Sequence, residues 1–475
     1  MKKHFALFSA LALAFSIASP VIAADDITTL RRQLEEQRAL IQAQQQQLAQ
    51  QAQALDRLSE RLDEMTAGQA AAAQAVSSPK LSADDTPKVA ARPETTMERD
   101  EVGDLNSESI KSGEFPGSFM IPGPGKISLR IGGFVKTVAI ADSDAETMGA
   151  DFLPSTLGTR RSDKDGAFSL DATITRLNLD ARAPTPDGRL RGYVEWDLND
   201  SNDGSVAFKM RHAYGAWINS YGTLTAGHTW STLMDLKILP EGLTEPTMSG
   251  PIFMRQAQIR WSQPLDSQFT LHAAIEDPNS NDVFSDEPTL GKTDIPDVVM
   301  GLEYDRAGIG HLRLNGILRH IEVDMPAGGD DDELGWGMTL TGHLNFFEKD
   351  RFRCGGAYGQ GLGRYLLGIQ SIDGSAIDPV RNELRLRDNW GAFASYEHHW
   401  TEKYRSTAKV GYAHSKPFGW QAAGTLENTM YTGANLMCQV FPYLTLGIEY
   451  DYGRRENKDN SDLDNHRLML GVQVY

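Results

Sequence analysis

Hydrophobic and polar residues alternate along the stretch TITRLNLDARAPTPDGRLRGYVEWDLN, from Thr173 to Asn199. Successive side chains of a β-strand point to opposite faces. Thr173, Thr175, Leu177, Leu179 and Ala181 therefore share one face of the first arm, and Arg176, Asn178, Asp180 and Arg182 the other. After PTPDG, whose prolines and glycine suit a turn, Leu190, Val194, Trp196 and Leu198 oppose Arg189, Arg191, Tyr193, Glu195 and Asp197. Each arm runs about ten residues, beyond the usual length of a soluble strand and right for a tilted strand crossing bilayer hydrocarbon. The stretch predicts a β-hairpin with one apolar and one charged face. A soluble sandwich alternates too, so this hairpin alone does not require a membrane.

From Lys126 onward the same reading gives sixteen alternating segments, at 126–141, 169–183, 188–199, 205–220, 222–231, 253–263, 268–277, 296–306, 309–323, 334–346, 350–361, 388–400, 403–415, 429–441, 443–456 and 466–475. Short turns (PTPDG, SYG, PLDS, RAGIG, FFEKD, TEK, FPY) alternate with mostly longer polar loops, the longest near 142–168, 232–252, 277–295 and 362–387. That regularity places all the turns at one end, the pattern of outer-membrane barrels with periplasmic turns and outer loops. Aromatic residues gather beside the turns: Tyr221, Trp261, Phe269, Tyr304, Phe346, Phe347, Phe352, Trp400, Tyr404, Phe441, Tyr443 and Tyr475. Amphipathic rings form a girdle at a membrane interface, whereas a soluble sandwich has no reason to sort aromatics by turn side. The predicted fold class is all-β, a transmembrane antiparallel β-barrel of about 16 strands over residues 116–475. An even strand number puts both ends of the barrel on the turn side.

The period changes nearer the start of the chain. Ile27, Leu34, Ile41, Leu48, Leu55 and Leu62 recur every seventh residue, with Leu30, Gln37, Gln44, Gln51, Leu58 and Met65 at the accompanying d positions. This seam with a polar middle predicts an α-helical coiled coil over residues 25–68, and a coiled coil needs partner copies. Residues 1–24 combine Lys2 and Lys3, an apolar core and small residues near Ala23 and Ala24, the pattern of a secretory signal peptide. Residues 69–115 are rich in Ala, Ser, Pro and charge without periodicity and read as a flexible linker. With both barrel ends on the turn side, the coiled coil is expected in the periplasm.

Composition narrows the class further. Mean hydropathy is -0.39, and no later apolar run approaches the length of a transmembrane helix. Two cysteines in an exported chain exclude a disulfide scaffold. Cys354 and Cys438 fall in apolar rows of separate strands, which predicts unbridged thiols facing lipid or a subunit contact. Catalysis finds no support: GxSxG, HExxH and phosphate-loop motifs are missing. His398 and His399 in EHHW point to opposite faces of one strand, and His228 in GHTWST reads as a wall residue. No enzyme activity, cofactor, metal site or nucleic-acid partner is expected.

The opening SFMIPGPGKISLRIGGFVK, the HAYGAW of the fourth segment and the following GHTWSTLMD resemble the DcaP-like porins. The resemblance implies a trimeric outer-membrane channel with an N-terminal periplasmic coiled coil, linked in that family to dicarboxylates and similar small anions. Tyr475 matches the terminal assembly signal of outer-membrane proteins, although Leu468, Leu470, Val472 and Val474 form the apolar row out of phase with it.

The lumen-facing phase carries the functional information. About fourteen bases, among them Arg130, Lys136, Arg176, Arg182, Arg191, Lys209, Arg211, Arg260, Arg313, Arg353 and Lys409, stand against about nine acids, including Asp180, Glu195, Asp197, Glu303, Asp305, Glu397 and Glu449. The wall is thus mildly basic within a chain of formal charge -18. Lys136, Arg176, Lys209 and Arg211 are expected to form a basic wall near mid-height, with Arg191 and Arg260 as further pore-lining bases. As water-facing residues, Arg176, Lys209 and Arg211 should accept Glu with the fold intact and selectivity shifted toward cations. The loop LMDLKILPEGLTEPTMSGPIF carries Asp235, Lys237, Glu241 and Glu245. Folded inward, as the porin resemblance implies, it would form a constriction with a transverse field; folded outward, it would serve a subunit contact. The expected function is a passive diffusion channel for small polar solutes with a preference for anions. Its expected partners are two further copies in a homotrimer, outer-membrane lipids, lipopolysaccharide and small anionic solutes. The rival is a structural anchor whose periplasmic coiled coil is the working part.

Overall fold

The computed structural model describes residues 111–121, 126–143, 150–158, 166–198, 207–245, 248–278, 283–284, 291–292, 294–325, 328–347, 349–370 and 374–475. The signal peptide, the heptad segment and nearly all of the linker lie outside the described residues.

Sixteen antiparallel strands build the wall: β1 Ser128–Asp142, β2 Arg176–Thr185, β3 Gly188–Asp197, β4 Lys209–Asn219, β5 Thr223–Trp230, β6 Arg255–Pro264, β7 Phe269–Glu276, β8 Asp297–Arg306, β9 Gly310–Asp324, β10 Asp330–Phe346, β11 Asp350–Gln360, β12 Asp388–His399, β13 Tyr404–Ser415, β14 Leu426–Phe441, β15 Leu444–Asn457 and β16 Asp462–Val474. Each strand pairs with its sequence neighbour. β1 pairs with β2 from Ser128↔Arg182 to Phe134↔Arg176 and with β16 from Val135↔Val474 to Asp142↔Arg467, which closes the sheet. Closure matters because backbone groups facing hydrocarbon must find their partners within the sheet. All seven predicted turns connect strands at one end, where both barrel termini also lie.

The outward rows are apolar. Leu177, Leu190, Val194, Met210, Leu314, Leu340, Ile448 and Leu470 are all exposed on the outer wall. Aromatic pairs mark both rims: Phe269 and Tyr304, with ring centroids 5.0 Å apart, and His398 and Trp400 at 4.4 Å near the turns, Trp336 and Tyr358 at 5.6 Å and Trp390 and Tyr412 at 5.0 Å near the loops. The second girdle escaped the sequence reading, which sorted aromatics only by the turns. Cys354 stands in the outward row opposite Gly342 and Ala394, Cys438 stands opposite Tyr404 and Leu446, and both thiols are free. Tyr475 lies out of phase with the outward row of Leu468, Leu470, Val472 and Val474 and packs edge-on against Phe134, 6.3 Å away.

Two irregularities correct the strand phase. The loop-end part of the second strand, Ala167–Asp171, pairs separately with β1, and a turn around Thr173 capped by Asp171 interrupts it. The inserted residue inverts the phase, so Phe168 and Leu170 face outward while Ile174 is buried. Thr173 and Thr175 therefore do not extend the outward row of Leu177. In β4 the register shifts at Arg211, so that Glu195 pairs with His212 while Trp196 pairs with Met210. A bulge of this kind turns two successive side chains to one face, and both Arg211 and His212 point inward.

The interior is filled from the loop end. Three connections fold into the lumen through their described residues, 150–158, 231–245 with 248–254, and 361–370 with 374–387, and Phe152, Leu233, Ile238, Met248, Tyr365, Leu366 and Leu367 are buried there. The wall receives them with glycines. A side chain at Gly411 would place its Cβ 1.9 Å from the Ser249 carbonyl, and one at Gly447 would lie 2.7 Å from Leu243. The 361–387 connection, read from sequence as a polar outer loop, instead pairs with the 231–254 loop through Gly250 to Leu367 and Phe253 to Tyr365.

Candidate functional site: the lumen and its internal loop

The loop between β5 and β6 leaves the wall at Ser231, whose hydroxyl donates to Glu276 (2.6 Å), and touches strands on opposite sides of the barrel before it returns at Arg255. Its four charged residues each find a station. Asp235 accepts from His311 Nε2 at 2.9 Å, from Thr341 Oγ1 at 2.7 Å and from the Lys237 amide at 3.0 Å. Burial alone would raise this carboxyl, but the hydrogen bond and charge of His311, aided by Thr341 and the amide, hold it below the usual carboxylate range. Lys237 extends its ammonium between Glu303, at 2.8 Å, and Asp305. Arg405 donates both its Nε and an Nη to Glu241. Glu245 gathers three guanidiniums: Arg176, Arg211 at 3.3 Å and Arg255 at 3.1 Å. The Leu243 amide, between these stations, donates to Glu449 at 2.7 Å.

Of the four bases expected to form one basic wall, two meet. Arg176 and Arg211 converge on Glu245 and on Asp197. Lys136 is buried nearby on β1 and makes no ion pair among the described residues, while Lys209 is exposed at the loop end of β4 and stands apart. The side chain of Arg211 is only 4% exposed and its partner Asp197 is fully buried. Glu at positions 176 and 211 would face Asp197 and Glu245 across a few ångströms, so the expectation that triple Glu substitution spares the fold is corrected. Arg191 lies closer to the turn end, where it shares the buried Asp180 with Arg130 and Arg182. Arg182 also stacks over Phe115, 3.9 Å from the ring centre.

Arg260 differs from the others. It points into the lumen opposite Thr225 and Ala274, and it makes no hydrogen bond or ion pair among the described residues; its Nε is buried without a partner. It borders a cavity of about 530 Å³ between loop residues Met234 to Lys237 and the wall of β3 to β9. Arg191, Tyr193, Tyr214 and Arg313 line the same space.

Arg255 is the functional residue that alternation missed. It precedes the inward row Gln256, Gln258 and Arg260 by one position, so its phase alone gives no reason to place it beside Glu245. It reaches inward because its strand begins there, stacked over Trp230 at 3.5 Å. Neither His228 nor the EHHW pair forms a shared site: His228 stands opposite Ala213, His398 meets Asp350 at 2.6 Å and His399 meets Glu397 at 2.9 Å. Glu303, Asp305 and His311 come within metal-ligating distance of one another, but the Lys237 ammonium sits between the two carboxylates.

A closed 16-stranded barrel with an internal loop after its fifth strand is a porin architecture, and the family model for the DcaP outer membrane protein matches residues 145–471. The chain belongs to the DcaP family. It is an outer-membrane channel protein, and the family and fold are those of porins rather than enzymes. Among solved structures, the outer membrane channel DcaP of Acinetobacter baumannii is 21% identical with a TM-score of 0.65, the match covering 73% of this chain and 97% of that one. An anion-selective porin from Comamonas acidovorans shares 10% identity with a TM-score of 0.51, covering 73% and 99%. No curated protein sequence matches the chain.

Proposed function

We propose that this porin is a homotrimeric, passive diffusion channel that prefers small anions such as dicarboxylates, with its coiled coil in the periplasm. The unpartnered guanidinium of Arg260, facing a cavity of about 530 Å³, carries this reading. Most other lumen bases are paired with a carboxylate, whereas Arg260 leaves positive charge facing the cavity and Lys136, buried on β1, has no ion-pair partner among the described residues. Charges lining a narrow pore act through little water and raise the local concentration of counter-ions. A cavity of this size accommodates a short dicarboxylate together with water. The heptad seam from Ile27 to Met65 supports oligomerisation, since an apolar seam is stable only against further copies.

Planar-bilayer recordings in a salt gradient test the preference. Arg260→Gln and Lys136→Gln should each move the reversal potential toward cations and reduce dicarboxylate entry in liposome swelling. Unaltered values in both variants would remove the free bases from the account.

A further inference from the structure

His311 on β9 lies between two carboxylates from different parts of the fold. Its Nε2 is 2.9 Å from Asp235 Oδ2 on the internal loop, its Nδ1 is 3.1 Å from Asp305 Oδ1 on β8, and the side chain is fully buried. A neutral imidazole carries one N–H, so donation to both carboxylates requires both ring protons. Asp235 already accepts from the Thr341 hydroxyl and the Lys237 amide, which suits an ionised acid.

We propose that His311 is a proton-dependent latch that holds the Met234–Leu239 part of the internal loop against the wall, so that the loop seats when His311 is protonated and loosens when it is not. The inference rests on the channel reading only for its effect on conductance.

Every packed element contributes charge around the ring. From the loop come Asp235 and Lys237. From β8 come Asp305 and Glu303, the latter with His272 Nε2 of β7 3.3 Å away. Arg313 follows on His311's own strand, 3.4 Å from Glu303. On β10 the ring of His343 stacks at 5.5 Å, with Arg351 and Arg353 of β11 among its charged neighbours. Lys237 and Arg313 balance the Glu303 and Asp305 pair, and His311 in its charged form supplies the cation that faces Asp235. Loss of that proton leaves a lone pair of the fully buried imidazole facing either the buried Asp235 or the partly exposed Asp305, an arrangement that buried polar groups avoid. The loop's flanks are held differently. Thr232 and Leu233 bond through their carbonyls to Arg313 and Asn315, and Gly250 packs on the wall. Release at His311 therefore loosens the middle of the loop, which roofs the cavity beneath, and leaves Thr341 on Asp235 and the Lys237 ion pairs as its remaining ties.

Two measurements test the latch. In a chain carrying Cys354→Ala and Cys438→Ala, Met234→Cys introduces a thiol where the native side chain is 2% exposed. Maleimide labelling of the folded protein is then compared with and without His311→Gln at one pH near 6. Gln carries both donors on one nitrogen and would turn its carbonyl oxygen toward one of the two carboxylates, so labelling should be about tenfold faster, reflecting local opening. His311→Arg keeps donors toward both sides and should restore slow labelling. Equal rates in all three, with heat-modifiable migration confirming the barrel, would overturn the latch whether or not the barrel conducts. In bilayers, the conductance of the unsubstituted channel should change with a single midpoint between about pH 5 and about pH 9, and His311→Gln should be flat. A flat response in the unsubstituted channel, or an unchanged one in the variant, would also overturn it.

Discussion

Glu245 of the internal loop is bound by Arg176 of β2, 69 positions earlier in the chain, and the same carboxylate holds Arg211 and Arg255. Glu245 thus joins three bases at the level where the loop meets the wall, two of which also pair with Asp197. Glu245→Gln should release positive charge into the lumen and shift the reversal potential toward anions. The change removes one partner of a partly water-reachable cluster, so a stability loss of about 1–3 kcal/mol is expected in thermal unfolding. A reversal potential that stays put would mean that this cluster lies off the conduction path.

The loop also depends on room that glycine provides. Gly250 adopts a φ of +109, and its neighbours across the contact are Gly391 and Gly411. Gly411→Val would drive a side chain into the Ser249 carbonyl and unseat the loop while leaving the outward row of β13 unchanged. The expected result is a folded barrel, destabilised by about 1–3 kcal/mol through overpacking, with noisier single-channel currents. Quiet currents identical to those of the unsubstituted channel would show that the loop does not control conductance at this contact.

The wall was largely legible from sequence, because a strand between water and lipid must alternate and its turns must fall at one end. Leu177, Leu179, Arg176 and Asp180 sit on the faces that period two assigned to them. What escaped was non-local. The bulges at Thr173 and Arg211 insert residues without any change in polarity that would betray them. The 361–387 connection did carry a signal: the run Tyr365, Leu366, Leu367 and Ile369 is too apolar for a loop in water, and burying it against the internal loop resolves the conflict. Which base meets which acid depends on how the loops cross the lumen, and alternation along a strand carries no information about that.

Asp235 gives a pH prediction with a definite sign. Its carboxyl is held below the usual range by His311, so its contribution is present above the unfolded pKa and is lost as pH falls through the lowered folded value. The stability difference between the unsubstituted chain and Asp235→Asn should therefore be full near pH 7 and shrink only below about pH 4. A difference that is already lost by about pH 6 would contradict the ionised, three-fold hydrogen-bonded acid.

A peptide spanning Asp25 to Gly68 should be helical and self-associate, with modest stability because Gln37, Gln44 and Gln51 occupy the middle d positions. Circular dichroism and sedimentation equilibrium check this. An unstructured monomer at high concentration would remove the heptad argument for oligomerisation and leave the outer wall as the basis for a trimer.

The central claim is that free bases in the lumen outweigh the acidity of the chain as a whole. It is tested most directly by the zero-current potential of the unsubstituted channel in a tenfold potassium chloride gradient across a planar bilayer. The account predicts a potential displaced toward the chloride equilibrium value and reduced as salt rises, because screening weakens fixed charges. A potential displaced toward the potassium value would contradict it.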